Sequence, residues 1–330
     1  MPDPTQIKEH KSLKMTGDLL SVARTPNTQQ LWIGSNDAKI YFVDLAVEKP
    51  EPTGMSGHTS YVSGLVQVDN VLISCGWDKK LIWWNLENRE PTRTVVAHQK
   101  WIRQLVASPD RQLIATVSDD MSCKLWDAKS GQIIRELRGH QPIIPRFDYP
   151  NKLYTCAFSP DGKLLAAADE LCQVIVWDVG TGQVATRFEA AAFYKSDWDR
   201  NNHPWGGVRT MAFSPDGKRL ALGGMQNTDV AIINGPGFVQ VFDWAQGKSL
   251  HEYKLGTNLQ FESVAFHPRT EWLLTASGGG ATRMAFLDIE SGKTIHEFDP
   301  KMQTFGLALD EAAETIYTVG RERVAVWRLT

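Results

Sequence analysis

The chain has 330 residues, with 35 Lys and Arg against 38 Asp and Glu, which gives a formal net charge of −3 at pH 7. This balance argues against nucleic-acid binding, because phosphate binding needs clustered positive charge. Hydrophobic residues make up 42% of the chain, enough for a full core, and no apolar run approaches the ~20 residues of a membrane span.

Two further features favour a cytoplasmic protein. The N-terminal segment MPDPTQIKEHKS lacks the apolar stretch of a secretory signal. The four cysteines form no Cys-x-x-Cys pair, so we expect buried free thiols rather than a disulfide or a metal site. They are Cys75, Cys123, Cys156 and Cys172. No cofactor, no metal and no membrane association are expected.

Seven short apolar runs recur along the chain. In each run a large aromatic or aliphatic side chain stands near the end, and Asp usually follows it. They are IYFVDL (40–45), LIWWNL (81–86), CKLWDA (123–128), VIVWDV (174–179), VQVFDW (239–244), MAFLDI (284–289) and VAVWRL (324–329). The residue after the large side chain recurs at intervals of 41, 42, 51, 65, 45 and 40 residues. A period near 40 built from short strands is typical of a β-propeller.

Turn sequences recur in phase with these runs. SPDR, two copies of SPDG, and HPRT each stand between two apolar runs, at 108–111, 159–162, 214–217 and 267–270. Pro and Asp-Gly favour tight turns, so each copy predicts a strand, a turn and a second strand. A second turn, such as KSG (129–131) or ESG (290–292), follows the large side chain and precedes a further strand. Each unit therefore predicts four strands.

The dipeptides Trp126-Asp127 and Trp177-Asp178, with the pairs Gly57-His58 and Gly139-His140, recur at matching places in these units. In these features the chain resembles the WD-repeat β-propeller family over nearly its whole length. The resemblance implies an all-β fold: a seven-bladed propeller with four antiparallel strands per blade.

The two ends of the sequence predict how this ring closes. The last run, VAVWRLT, is the third strand of the seventh blade, and TQIKEHKSLKM precedes the first inner strand, DLLSVART. We therefore expect residues 1–14 to form the outer strand of the last blade, which removes an open sheet edge. Residues 1–330 are then one domain.

The resemblance also implies a buried hydrogen-bonded set of four side chains in a blade. The second blade has His58, Ser74, Asp78 and Trp84, and the third has His98, Thr116, Asp120 and Trp126. Such residues also form hydrolase triads, but their repetition in successive blades favours scaffolding, and no catalytic residue is predicted. The fourth blade keeps His140 and Trp177 but has Ala167 and Leu171 at the other positions. His140 is then either free of the structural role or simply solvated.

Three insertions, at 141–152, 190–205 and 225–237, interrupt the period in the fourth and fifth blades. With strands A to D counted outward from the axis, alternation of direction places all three on the face of the D-to-A and B-to-C connections. They either bind a partner or pack on themselves as a lid. Their candidate contact residues are Phe147, Tyr149, Phe193, Tyr194, Trp198, Arg200, His203 and Trp205.

A second aromatic cluster is predicted on the same face. Tyr61 and Trp101 stand at the starts of inner strands, and Trp77 stands just before the turn Asp of the second blade. Val62 and Ile102 already take the inward positions, so these three rings are candidates for partner contact. The resemblance implies that such positions line a partner-binding rim.

The sequence thus predicts a non-enzymatic scaffold that binds a protein or peptide partner, either as a monomer or as a subunit of a larger complex. The alternative is an enzyme or a small-ligand or metal-binding propeller with a pocket at the axial mouth. Its candidate residues are Asp197, Asp199, Arg200 and His203.

Overall fold

The computed structural model describes residues 3–144, 149–193, 207–226 and 235–329, apart from the side chain of Tyr149. Two helices in these ranges, Pro4–Gln6 and Ala191–Phe193, are single 3-10 turns, and neither could span a bilayer. The rest of the regular structure is β-sheet. The strands are β1 Lys8–Arg24, β2 Gln30–Ser35, β3 Lys39–Asp44, β4 Thr53–Ser56, β5 Val62–Val68, β6 Val71–Gly76, β7 Lys80–Asn85, β8 Pro91–Val96, β9 Ile102–Ala107, β10 Leu113–Ser118, β11 Cys123–Asp127, β12 Ile133–Leu137, β13 Ile143–Ile144, β14 Tyr149–Pro150, β15 Leu153–Phe158, β16 Leu164–Asp169, β17 Gln173–Asp178, β18 Val184–Glu189, β19 Val208–Phe213, β20 Arg219–Met225, β21 Gly237–Asp243, β22 Lys248–Leu255, β23 Leu259–Phe266, β24 Trp272–Gly280, β25 Met284–Asp288, β26 Lys293–Phe298, β27 Thr304–Leu309 and β28 Thr315–Arg328.

Five sheets have four antiparallel strands in sequence order: β5 to β8, β9 to β12, β15 to β18, β19 to β22 and β23 to β26. The inner strands β1, β5, β9, β15, β19, β23 and β27 contact one another in a closed ring. Strands β13 and β14 form a separate ribbon. The fold is an all-β propeller.

The prediction of seven blades is wrong. The sixth sheet is six-stranded, in the order β27-β28-β1-β2-β3-β4, so the structure has six blades. Strand β1 has 17 residues and pairs first with β28 and then, from Leu19 onward, with β2. The backbone bends at Gly17 (φ +78°) and at Glu322 (φ +55°) without ending either strand. Hydrogen bonding therefore joins the first and last sequence repeats into one blade.

The N-terminal part of β1 is hydrogen-bonded to the C-terminal part of β28. Lys8 lies opposite Arg328, and Leu13 opposite Val324. Met15, Val324 and Val326 share one core cluster with Leu19 and Leu31. The two ends of the described chain thus hold each other within one sheet.

Burial differs by strand position. The second and third strands of a blade are buried on both faces, as in Leu72–Gly76 of β6, because neighbouring blades cover both sides. The outer strand β8 is exposed at most of its residues. All four cysteines are buried and unpaired, and burial raises the pKa of the Cys75 and Cys172 thiols to about 12.

The recurring SPD sequences form the A-to-B turns. The Ser108 hydroxyl donates to the Asp110 carboxylate at 2.6 Å, and the Leu113 amide donates to Ser108 Oγ at 3.0 Å. The same hydroxyl-to-carboxylate bond joins Ser159 to Asp161 and Ser214 to Asp216, each at 2.6 Å. Each A-to-B turn is therefore stabilised by hydrogen bonds of its own side chains. The face of the propeller that carries these turns has short loops.

Candidate functional site

The four-residue sets form connected hydrogen bonds in the second and third blades. His98 Nδ1 lies 3.1 Å from Asp120 Oδ2, His98 Nε2 lies 2.8 Å from Thr116 Oγ1, and Trp126 Nε1 donates to that hydroxyl at 3.0 Å. The second blade repeats these contacts, with His58 2.9 Å from Asp78 and 2.7 Å from Ser74, and Trp84 donating to Ser74 at 2.8 Å.

The contacts define the tautomer of His98. Thr116 Oγ1 accepts from Trp126, so its own hydrogen is available for His98 Nε2, and Nδ1–H then donates to Asp120. Burial lowers the pKa of His98, which favours this neutral ring. Burial alone would raise the pKa of Asp120, but the hydrogen bond from His98 holds it well below its usual range. Ser74 and Thr116 are fully buried, so neither hydroxyl is accessible to a substrate.

Asp120→Ala is expected to destabilise the chain by about 1–3 kcal/mol, because it removes the carboxylate that accepts from the buried His98 Nδ1–H and leaves that donor only the Ser122 hydroxyl, whose oxygen lies 3.0 Å from Nδ1. Asp120→Asn keeps an oxygen acceptor and should cost less. Urea unfolding at neutral pH measures both variants. An unfolding free energy for Asp120→Ala equal to that of the wild type would remove Asp120 from this role.

The expectation for His140 is wrong. Its Nδ1 lies 2.8 Å from the carboxylate of Asp169, and both side chains are buried. Asp169 stands two residues before Leu171, so it replaces the missing turn Asp from the end of β16. His140 Nε2 has no hydrogen-bond partner among the described residues, because Ala167 lacks a hydroxyl. His140 is therefore neither free of a structural partner nor simply solvated.

Tyr61, Trp77 and Trp101 form one stack. The ring centroids of Tyr61 and Trp77 are 4.5 Å apart, and those of Trp77 and Trp101 are 4.2 Å apart with an interplanar angle of 5°. The amide of Trp77 donates to the Tyr61 carbonyl at 2.9 Å, which joins the two connections. Tyr61 is 37% exposed and Trp101 43%, and among the described aromatic side chains these two are the exposed ones.

The guanidinium of Arg103 contacts both tryptophan rings of the stack. Its Cζ lies 5.3 Å from the centroid of Trp77 and 5.2 Å from that of Trp101. Asp119 holds the guanidinium through two hydrogen bonds of 2.6 and 2.8 Å. This bidentate pair fixes the arginine, so the rings keep their arrangement before any partner binds.

The axial mouth beside the stack is lined by residues that sequence reasoning missed. In each inner strand, the pairing with the neighbouring strand skips one residue. This irregularity is a β-bulge, and it turns the side chain of the skipped residue away from the ladder. The skipped residues are Leu20, Ser63, Arg103, Tyr154, Arg209, Glu262 and Phe305. The available signal was their place: each directly follows a buried residue at or near the start of its inner-strand ladder.

Cationic and carboxyl side chains lie close to one another around Tyr154. The Tyr154 ring lies between two guanidiniums, 5.3 Å from Arg103 and 4.3 Å from Arg209. The Tyr154 hydroxyl donates to Glu170 at 3.4 Å, and Lys152 Nζ lies 3.7 Å from the same carboxylate. Burial raises the pKa of Glu170 and of Glu262. A cavity of about 220 Å³ lies among the inner strands, and its lining includes Ser63, Gln104 and Glu262.

The insertions contribute less than predicted within the described ranges. Phe193 is fully buried and packs against Phe238 at a centroid distance of 4.7 Å, so its prediction as a contact residue is wrong: it belongs to the core. Of Tyr149 only the backbone is described, in the ribbon with Ile144. The remaining insertion candidates lie outside the described residues: Phe147, Tyr194, Trp198, Arg200, His203 and Trp205.

The residues of the alternative enzyme or metal-binding reading, Asp197, Asp199, Arg200 and His203, also lie in the undescribed range 194–206. Within the described ranges, no group of three or more His, Cys, Asp or Glu side chains is placed to hold a metal ion. The best-defined candidate site is therefore the Tyr61–Trp77–Trp101 stack with Arg103 and Asp119.

Comparison with known proteins identifies the repeats. The family model of the WD40 domain, described as the G-beta repeat, matches residues 49–85, 89–127 and 131–178. These segments contain both complete four-residue sets and the whole aromatic stack.

Curated relatives cover most of the chain at modest identity. Small ribosomal subunit protein RACK1 of Caenorhabditis elegans is 28% identical over 306 residues, covering 82% of this chain and 90% of that protein. MST50-interacting protein 11 of Pyricularia oryzae is 27% identical over 283 residues, covering 76% and 85%. Telomerase protein component 1 of Rattus norvegicus is 27% identical over 253 residues, covering 76% of this chain.

The chain spans only 8% of the length of that telomerase component, and 9% of its Mus musculus counterpart. The likeness to these two proteins is therefore limited to a propeller-sized segment. Together, the repeat matches over residues 49–178, the relatives and the four-stranded sheets around a closed ring support a WD-repeat β-propeller.

Proposed function

We propose that this chain is a non-enzymatic scaffold that binds a protein or peptide partner on the face formed by its D-to-A and B-to-C connections. The observation that carries the proposal is the exposed stack of Tyr61, Trp77 and Trp101. Exposed aromatic rings held next to an arginine have the composition of binding hot spots.

The stack is suited to binding because it is already ordered. Arg103 is fixed by Asp119, and Trp77 is tied to Tyr61 through the backbone. Binding of a partner therefore costs little conformational entropy in these side chains. This favours affinity at a given contact area. The buried hydroxyls of Ser74 and Thr116 support the non-enzymatic part of the proposal.

The relatives support the same class of function. The names small ribosomal subunit protein and MST50-interacting protein describe proteins that work in contact with others. A role as a protein-interaction scaffold agrees with these relatives, while the face and the partner are the proposal made here.

Trp101→Ala is expected to weaken partner binding by at least about 2 kcal/mol, roughly thirtyfold in Kd, with the fold intact. The tagged chain is used to capture partners, which are identified by mass spectrometry, purified and titrated by calorimetry.

The control is Lys129→Glu, an exposed change in the β11–β12 turn on the opposite face. It should leave both binding and stability unchanged. A partner that is lost with Lys129→Glu and kept with Trp101→Ala would show that the opposite face binds.

A further inference from the structure

The charged groups around the aromatic stack indicate the chemistry of its partner, an inference that rests on the function proposed above. The two blades that form the stack place three aspartates in the connections on this face. Each carboxylate is already hydrogen-bonded to a side chain of this chain: Asp78 to His58, Asp119 to Arg103 and Asp120 to His98. These carboxylates are therefore poorly placed to attract a cationic partner.

The lysines of the same connections form no salt bridge among the residues that the structure describes. Lys79 stands two residues after Trp77, and Lys100 directly precedes Trp101. Both residues are exposed. In the connections that form the stack, the charge without a salt-bridge partner is consequently positive, although the whole chain carries a net charge of −3.

The geometry of Arg103 leaves a ring surface open. Its Cζ is nearly equidistant from Trp77 and Trp101, at 5.3 and 5.2 Å, while those two centroids are only 4.2 Å apart. The guanidinium therefore lies beside the stack and does not cover its end. Trp101 keeps 43% of its surface exposed although Trp77 covers one of its faces.

We propose that the stack binds an acidic peptide segment that carries a large apolar or aromatic side chain. The apolar side chain packs on Trp101, and flanking Asp or Glu side chains of the peptide face Lys79 and Lys100. Charge complementarity at such a rim sets the orientation and the rate of binding, while the ring contact supplies most of the affinity.

The test is selection of a random peptide library, displayed on phage, against the purified chain. We expect the enriched peptides to combine an aromatic or large apolar residue with neighbouring Asp or Glu. One enriched peptide is synthesised with a fluorophore and titrated against the variants by anisotropy. Trp101→Ala and the double variant Lys79→Glu, Lys100→Glu should each weaken its binding about tenfold or more, and Lys129→Glu should not. Added salt should weaken binding to the wild type.

The outcomes separate this inference from the proposed function. Enriched peptides that are neutral or basic but need Trp101 overturn the acidic-peptide inference and leave the binding face in place. Peptides that bind Trp101→Ala as well as the wild type, or a library that yields none, overturn peptide binding by the stack, while partner capture still tests the face. Single-stranded poly(U) RNA is titrated in parallel, and binding that requires Trp101 would replace the peptide by a nucleic acid.

Discussion

Deletion of residues 1–14 is expected to lower the stability of the chain by several kcal/mol and to make it self-associate. The deletion removes the part of β1 that lies opposite Arg323–Arg328 of β28. Each backbone hydrogen bond contributes about 1 kcal/mol net, and the deletion also uncovers Val324 and Val326. The exposed edge of β28 would then be free to pair with another chain.

Light scattering after gel filtration and a thermal melt measure the two effects. The matched control is deletion of residues 1–6, which removes the single-turn helix and leaves β1 complete. This shorter variant should behave much like the wild type. If the longer deletion gives the wild-type mass and melting temperature, the pairing of β1 with β28 does not hold the ring closed.

The same pair of strands shows where sequence periodicity stops being informative. The repeat predicts side-chain positions: apolar runs, turn sequences and the four-residue sets all recur in phase. The number of blades depends instead on where backbone hydrogen bonding ends. The positive φ angles at Gly17 and Glu322 bend the backbone, yet pairing continues through both residues. Seven sequence repeats therefore give six hydrogen-bonded blades.

The candidate site could be predicted in part. Tyr61, Trp77 and Trp101 are distant in sequence, but their places in the repeat put them on adjacent connections, and the rings stack. Arg103 and Tyr154 were missed because a strand pattern alternates between two faces, whereas a bulge turns a side chain toward neither. Their contribution depends on a register shift, which no single strand sequence displays.

Asp169 was missed for a related reason. A position-by-position comparison places Leu171 where the turn Asp of the other blades stands. The carboxylate that replaces it comes from the end of β16, two residues earlier, and reaches the same nitrogen of the histidine ring. The hydrogen bond between a carboxylate and the histidine is retained, although the carboxylate comes from a different position in the repeat. Matching by position alone could therefore not find Asp169.

Trp126→Ala is expected to destabilise the chain by about 3–5 kcal/mol, the range for truncation of a buried Trp. Trp126 is 5% exposed and packs in the core between the second and third blades with Ile114 and Leu105. The change leaves a cavity and removes the indole N–H that donates to the buried Thr116 hydroxyl. Since whole domains are stable by only about 5–15 kcal/mol, this one substitution would remove a large share of the total.

Two further variants separate the causes of that loss. Trp126→Phe removes the hydrogen bond but keeps much of the apolar volume, so its cost should fall between those of the wild type and Trp126→Ala. Trp101→Ala removes an indole that is 43% exposed and should cost much less. Urea unfolding followed by circular dichroism measures all three variants. If Trp101→Ala is as destabilising as Trp126→Ala, the exposed stack is part of the scaffold, and its assignment as a binding surface fails.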